Sequence, residues 1–204
     1  ASLRADVAKL VGLCGLAVPG GAQWGGTLEG GTRLQLAGGV TNAAVDGVIK
    51  NFSFAEPGGA AWQEPLVKLN GSGVYDPAGD AVRVDRLEAT ADALRVALAG
   101  RISPLSTVRM IEANGEADSD LARLTPLAQA YRGNGVALTG REAQRFELTG
   151  PLADPSRGGA VPWDKLNGSA RVGWGGANLY GFQLGRGSLD ARLNQGVLRT
   201  SPLE

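Results

Sequence analysis

The chain has 204 residues, and its 20 Lys and Arg residues balance its 20 Asp and Glu residues, so the formal net charge at pH 7 is zero. This balance, with no basic run, disfavours nucleic acid and an anionic membrane surface as electrostatic partners. Histidine is absent and Cys14 is the one cysteine. An intrachain disulfide and a Cys/His metal or haem site are therefore excluded, and the commonest general base is missing.

Glycine is the most informative part of the composition. The chain has 32 glycines, about twice the average usage of roughly 7%. They lie between short apolar segments, where turns and bulges require positive φ, and this predicts many short strands joined by tight turns. No run of 18 apolar residues predicts a membrane-spanning helix. The chain begins ASLRADVAKL, without an initiator Met or a signal peptide, and we interpret it as a segment of a longer protein.

The first predicted element is an amphipathic helix over residues 3–18. Apolar residues recur there at helical spacing, and Pro19-Gly20-Gly21 ends the pattern. The apolar positions are Leu3, Val7, Leu10, Cys14 and Ala17. Cys14 is expected to be a small buried hydrophobe on this stripe.

Alternation replaces helical spacing further along. Over residues 94–102, apolar side chains alternate with polar or small ones, which predicts a half-buried strand. The first set is Leu94, Val96, Leu98 and Ile102, and the second is Arg95, Ala97, Ala99 and Arg101. Similar short alternations over 82–84, 136–138, 146–148 and 172–198, separated by Gly-rich turns, predict an antiparallel meander.

A second helix is predicted from Leu121 to Tyr131. Asp118-Ser119-Asp120 supplies N-cap chemistry before it, and Gly133-Asn134-Gly135 ends it. Pro126 lies inside the pattern, so we expect a kink or two abutting helices, with Thr125 as a second N-cap.

The tetrapeptide LNGS occurs at residues 69–72 and again at 166–169. Both copies are N-x-S sequons, as is Asn51-Phe52-Ser53, and glycan acceptors are one interpretation. The other is a duplicated structural unit. ADVAKLVGL (5–13) also matches SDLARLTPL (119–127), which favours duplication. We predict two related units, 1–116 and 117–204, each opened by a helix, or one continuous sheet domain.

Several segments together resemble the AsmA/TamB-like proteins of Gram-negative envelopes. They are Asp-Leu-Ala-x-Leu at 120–124, RFELTGPL at 145–152, DRLEATADALRVALAGRI at 85–102 and NLYGFQLGRGSLDARLNQGVLRTSPLE at 178–204. That family comprises long periplasmic chains of repeated β-units, related in architecture to bridge-like lipid-transfer proteins. The resemblance implies a mainly β fold: a curved antiparallel sheet whose apolar concave face shields acyl chains. It also implies a location in the periplasm or cell envelope, with membrane anchoring through other parts of the parent protein.

The predicted function is non-enzymatic, with no catalytic residue, metal or cofactor. The chain would shield or convey lipid between membranes, or support outer-membrane assembly. Its expected partners are lipid acyl chains and neighbouring β-units of the longer parent chain, with membrane contact only through parts outside this segment. The predicted lipid-contacting residues are Leu94, Val96, Leu98, Val136, Leu138, Phe146 and Leu148. An ordinary closed core is the alternative interpretation of these residues.

Other functional classes remain open. A β-sandwich adhesion or carbohydrate-binding module would use the four tryptophans as a stacking platform. These are Trp24, Trp62, Trp163 and Trp174. A carboxylate-based glycoside hydrolase would need Glu56 or Glu64 to converge with another acid. The acidic residues Glu116, Asp118 and Asp120 lack the spacing of an EF-hand, and capping of the second helix explains them better.

Overall fold

The computed structural model describes residues 2–13, 23–55, 61–132, 135–152 and 162–201. The chain is mainly β, with 76% strand and 7% helix, which confirms the predicted fold class. The first seven strands are β1 (Ser2–Asp6), β2 (Gln23–Ala37), β3 (Val40–Ala55), β4 (Ala61–Asp76), β5 (Ala81–Thr90), β6 (Leu94–Ser103) and β7 (Met110–Asp120). The others are β8 (Val136–Thr139), β9 (Arg141–Pro151), β10 (Asn167–Trp174), β11 (Gly176–Leu179), β12 (Phe182–Leu184), β13 (Gly187–Asn194) and β14 (Val197–Thr200). The helices are α1 (Val7–Leu13) and α2 (Leu121–Arg132), and a 3-10 turn covers Trp163–Lys165.

Eleven strands form one antiparallel sheet in the order β1-β2-β3-β4-β5-β6-β7-β9-β10-β13-β14. Strands that are neighbours in this sheet are also close in sequence, so the sheet is the predicted meander. A separate three-stranded sheet has the order β12-β11-β8. Register shifts at 25/27, 72/73 and 84/87 interrupt the pairing of the large sheet. Such bulges bend a strand and increase its local twist.

The large sheet has two chemically different faces. Residues paired across strands lie on the same face, and side chains alternate between faces along each strand. One face, here called the apolar face, carries Leu28, Ile49, Val67, Val84, Leu98, Ile111, Phe146, Val172, Leu189 and Leu198. The other, the polar face, carries Arg33, Asp46, Lys68, Arg86, Arg101, Glu116, Arg145, Ser169 and Arg192.

Little of the apolar face is covered. In the described chain, nine hydrophobic residues are buried, few for a protein of this length. The chain exposes 12348 Å², about 1.4 times the roughly 9,000 Å² expected for a globular monomer of 20.9 kDa. The large sheet is therefore a single layer over most of its width.

One corner of the sheet is covered by α2 and the small sheet. Leu121 of α2, Trp174 of β10 and Ala177 of β11 form a buried cluster. The hydrophobic residues Leu138, Leu179, Leu184 and Leu189 pack against it. This corner is where the chain builds a conventional core.

The predicted helix over residues 3–18 is wrong at its start. Residues 2–6 form β1, which pairs with β2 from Ser2–Gly31 to Asp6–Thr27. Leu3 and Ala5 extend the apolar face of the sheet, and this pairing overrides the helical spacing of the isolated segment. Within the described residues, helix α1 covers Val7–Leu13, and Asp6 Oδ1 accepts a hydrogen bond from Lys9 N at 3.2 Å. Cys14 and the rest of the predicted helix lie outside the described residues.

The second helix begins where predicted. Asp120 Oδ1 accepts hydrogen bonds from the backbone N–H groups of Ala122 and Arg123, at 3.1 and 3.4 Å, and so caps α2. One helix runs from Leu121 to Arg132, so the expected second N-cap at Thr125 is wrong. Thr125 Oγ1 instead donates to Leu121 O at 3.0 Å and accepts from Leu138 N at 3.1 Å, which ties α2 to β8.

The predicted unit boundary at 116/117 lies inside β7, and the sheet continues across it. Both units contain a strand, a helix and a returning strand: β1-α1-β2 and β7-α2-β8-β9. They differ in β8, which lies between α2 and β9 and joins the small sheet, and which has no counterpart among the described residues between α1 and β2. In both LNGS copies, Asn and Ser lie on the polar face and Gly on the apolar face. The division into two duplicated units stays a prediction.

Candidate functional site

The apolar face of the large sheet is the candidate functional site. Among the strand residues whose partners are described, Glu142 is the one acidic or basic residue on this face. Strand backbone groups are paired within the sheet, so the hydrogen-bonding groups of this face belong to a few side chains such as Thr41, Tyr75 and Gln144. Its chemistry suits a largely apolar ligand.

The hydrophobic side chains of this face are shielded mainly by one another. Most are half-buried, because neighbouring strands lie about 4.8 Å away on each side. Towards the β2–β3 turn this shielding decreases, and Leu34 and Leu36 are 71% and 76% exposed. Within the described chain, no second layer of structure packs against Leu34 and Leu36.

A groove of about 260 Å³ lies on the apolar face over β2–β5. Its walls are mainly apolar and include Leu34, Val45, Tyr75, Val82, Val84 and Leu87. Gly71 lies at its floor, and a Cβ there would come within 3.1 Å of both Leu87 Cδ1 and Val45 Cγ1. The absence of a side chain at this position is therefore what keeps the groove open.

Five of the seven predicted lipid-contacting residues lie together on the apolar face: Leu94, Val96, Leu98, Phe146 and Leu148. The structure places Val136 and Leu138 elsewhere, on β8 of the small sheet. Gly140, with φ of +111°, separates β8 from β9, so the alternation of residues 136–138 does not continue into 146–148. Leu138 instead packs in the corner core.

The sequence prediction did not include the groove residues on β2–β5. The missing members are Leu34, Val45, Tyr75, Val82, Val84 and Leu87. The alternation in GTRLQLAGG could have placed Leu34 and Leu36 on the apolar face of a strand. Alternation places Tyr75 and Leu87 less clearly, because register shifts in β4–β6 interrupt it there.

Ion pairs between neighbouring strands cover the polar face. Lys50 Nζ lies 2.6 Å from Glu29 Oε2, and Arg95 Nε lies 2.7 Å from Glu88 Oε1. The hydrogen bond from Lys50 lowers the pKa of Glu29. Hydrogen bonds from Arg95, and then from Arg86, lower the pKa of Glu88. The charges therefore hold one face in water while the opposite face excludes it.

Of the tryptophans whose side chains are described, Trp24 and Trp62 are half-buried and Trp174 is buried. Trp24 packs edge-to-face with Phe52 and Phe54, with ring centroids 5.8 and 4.9 Å apart, and Phe52 packs in the same way on Trp62. Trp174 is buried and donates to Gly185 O at 3.0 Å. The side chain of Trp163 lies outside the described residues. A stacking platform on an exposed rim is not formed by Trp24, Trp62 and Trp174.

The acidic residues considered for catalysis or calcium have structural partners. The buried Glu64 carboxylate accepts hydrogen bonds from Trp62 Nε1 and from the N–H groups of Asp92 and Ala93. Asp118 pairs with Arg141 at 2.9 Å, and Asp120 caps α2. Glu56 lies outside the described residues. Within the described ranges, no group of three or more Cys or acidic side chains is arranged to hold a metal ion.

Comparisons of the chain with protein-family models, with curated proteins and with solved structures find no match. In the described part of the chain, neither helix is long and apolar enough to cross a bilayer. Functional inference therefore depends on the geometry of the sheet.

Proposed function

We propose that this chain binds the acyl chains of lipids on the apolar face of its eleven-stranded sheet and has no enzymatic activity. In this proposal it is a segment of an AsmA/TamB-like protein of the Gram-negative envelope. The parent protein anchors it to a membrane, and the segment shields or conveys lipid in the periplasm, or supports outer-membrane assembly. Neighbouring β-units of the parent extend the sheet at its edges.

The observation that carries the proposal is the uncovered apolar face. Contiguous exposed apolar patches on soluble monomers rarely exceed a few hundred Å², and larger ones mark interaction or ligand sites. The total exposed area of 12348 Å² exceeds the roughly 9,000 Å² expected for the chain's mass, which fits a sheet that is a single layer over most of its width. Covering this surface removes apolar area from water, which is favourable by about 25 cal/mol per Å².

The shape of the face favours acyl chains as its ligand. Eleven strands at a spacing of about 4.8 Å make a surface roughly 48 Å wide across the strands. Ionisable groups are almost absent from it, and its glycines and alanines lower the surface locally between larger side chains. An acyl chain contacts such a surface without needing a hydrogen-bonding partner.

A pair of adjacent substitutions tests the proposal. Leu98 lies on the apolar face between Leu87 and Gly115, whereas Ala97 lies on the polar face between Glu88 and Glu116. Leu98→Lys puts an unpaired charge where an acyl chain would lie. The matched control, Ala97→Lys, places the same charge beside two carboxylates. Binding of a fluorescent fatty-acyl probe, and phospholipid co-purified with the protein and identified by mass spectrometry, are the measurements.

We expect the unsubstituted protein and Ala97→Lys to bind the probe alike, and Leu98→Lys to bind it at least about tenfold more weakly, since desolvating a charge costs more than 1.4 kcal/mol. Circular dichroism checks that both variants retain the sheet. A protein that takes up neither probe nor phospholipid, or equal binding by the two variants, contradicts the proposal. A carbohydrate-binding platform built from tryptophans would need their rings exposed, whereas Trp24 and Trp62 are half-buried and Trp174 is buried.

A further inference from the structure

Two polar side chains lie close together on the apolar face at β9. Gln144 lies on this face directly opposite Ala117 of β7, and Glu142 lies two residues before it on the same face. Gln144 Nε2 is buried and makes no hydrogen bond within the described chain. A buried donor without a partner costs free energy, and each such group in a native structure requires an explanation.

The large sheet is split beside Gln144. Pairing between β9 and β10 ends at Phe146–Ala170, and residues 171–174 of β10 pair only with β13 among the described strands. The side chain of Glu142 lies against Gly173 in this split, since a Cβ on Gly173 would be 3.4 Å from Glu142 Cγ. Glu142 Oε1 also accepts a hydrogen bond from the exposed Arg186 at 2.9 Å. The Glu142 carboxylate therefore has a hydrogen-bonding partner, whereas Gln144 Nε2 has none within the described chain.

We propose that Gln144 donates a hydrogen bond to the ester carbonyl of an acylglycerol lipid bound on the apolar face. This inference rests on the proposed function and adds the chemical class of the lipid and its anchor point. An ester carbonyl is a neutral acceptor, which an apolar surface tolerates better than a charged one. The polar end of the lipid then lies at the split, next to Arg186.

The acyl chain has an apolar path that begins at Gln144. Directly across the strands from Gln144 lie Ala117, Val96, Ala89 and Leu69, each paired with the next. These residues extend over four strand spacings, about 19 Å at 4.8 Å each. The path is uncharged along its length and leads towards the strands that form the groove. The proposed lipid lies across the strands, with its ester at β9.

Local rotation of Gln144 brings its donor to the ligand. The terminal torsion of a glutamine is broad and roughly two-fold, so turning the amide exchanges its oxygen and nitrogen positions at little cost. The residue as a whole is half-buried. The lipid carbonyl supplies the acceptor that Nε2 lacks within the described chain.

The test compares an ester-linked diacyl phospholipid with its ether-linked analogue, which lacks the carbonyl oxygens. We expect the unsubstituted protein to bind the ester lipid about three- to tenfold more tightly, the range that one hydrogen bond supplies. Gln144→Leu should bind both lipids equally, at the affinity of the ether lipid. It removes an unsatisfied donor, so its unfolding midpoint in urea should be unchanged or higher. The control Gln35→Leu makes the same change on the polar face and should keep the ester preference.

The outcomes separate this inference from the proposed function. If neither lipid binds to the unsubstituted protein, the proposed function fails, and the inference fails with it. If both lipids bind but the preference for the ester is absent, or is the same in Gln144→Leu, only the inference is overturned. Loss of the preference in Gln35→Leu as well would also overturn it.

Discussion

The carboxylate of Glu64 on β4 accepts a hydrogen bond from the backbone N–H of Ala93 at 3.1 Å, and these residues are 1% and 0% exposed. Ala93 lies in the turn between β5 and β6, so one side chain joins this turn to a strand that is not its neighbour in sequence. Asp92 N and Trp62 Nε1 donate to the same carboxylate, at 3.2 and 3.1 Å. Glu64 thus satisfies donors that have little access to water.

Replacing Glu64 by alanine should therefore destabilise the protein strongly. Glu64→Ala leaves several donors unsatisfied, and we expect the free energy of unfolding to fall by about 2–4 kcal/mol. Urea unfolding followed by circular dichroism measures it. The neighbouring Gln63 is exposed, and Gln63→Ala should change the stability by less than about 0.5 kcal/mol. Equal effects of the two substitutions would show that the hydrogen bonds of Glu64 contribute nothing.

The stability of the polar face should depend on pH through Glu88. Its carboxylate accepts from Arg95 at 2.7 Å and from Arg86 at 2.5 Å, and these hydrogen bonds lower its pKa. A carboxyl group with a lowered folded-state pKa stabilises the protein above its ordinary pKa, and this contribution is lost as the pH falls through the lower value.

The measurement compares the unsubstituted protein with Glu88→Gln by urea unfolding at about pH 6 and about pH 3. We expect the unsubstituted protein to be more stable at the higher pH, and the difference to shrink at the lower pH, where Glu88 becomes protonated. Added salt should reduce the difference at the higher pH, because the side chains of Arg86 and Arg95 are exposed. A difference that is independent of pH would contradict the assigned ion pairs.

Filling the floor of the groove should weaken lipid binding without unfolding the sheet. In Gly71→Ala, the added methyl lies 3.1 Å from the side chains of Leu87 and Val45. The flexible end of Leu87 has to shift, and we expect an acyl probe to bind about two- to fivefold more weakly, the equivalent of up to about 1 kcal/mol of lost contact. Asn70→Val, on the polar face of the same strand and outside the groove lining, is the control and should leave probe binding unchanged. If only the control variant bound the probe more weakly, the binding site would lie on the polar face, which would contradict the proposal.

Removing the N-cap of α2 should loosen the covered corner. We expect Asp120→Ala to lower the free energy of unfolding by about 1 kcal/mol, because two helical N–H groups lose their acceptor. Asp120→Asn keeps an acceptor oxygen at the same position, and it should cost only a few tenths of a kcal/mol. Thermal unfolding followed by circular dichroism measures the change in each variant. Equal losses in both variants would contradict the capping role.

The sequence by itself determined the features that depend on local chemistry. Alternation at Leu94, Val96 and Leu98 set the two faces of β6, and glycine-rich turns indicated a meander of short strands. Asp120 marked the start of α2, because a short acidic side chain satisfies helical N–H groups from the preceding position. These signals act within a few residues of chain, so they can be recognised without the fold.

Only the tertiary structure decided what depends on pairing across strands. Residues 2–6 have helical spacing, yet they form β1 because β2 offers an edge with unpaired backbone groups. Val136 and Leu138 alternate like the other strands, yet Gly140 directs them into the small sheet. The split beside Gln144 follows from where β9 and β10 stop pairing. Register joins residues far apart in the chain, and alternation within one strand carries no information about which partner it meets.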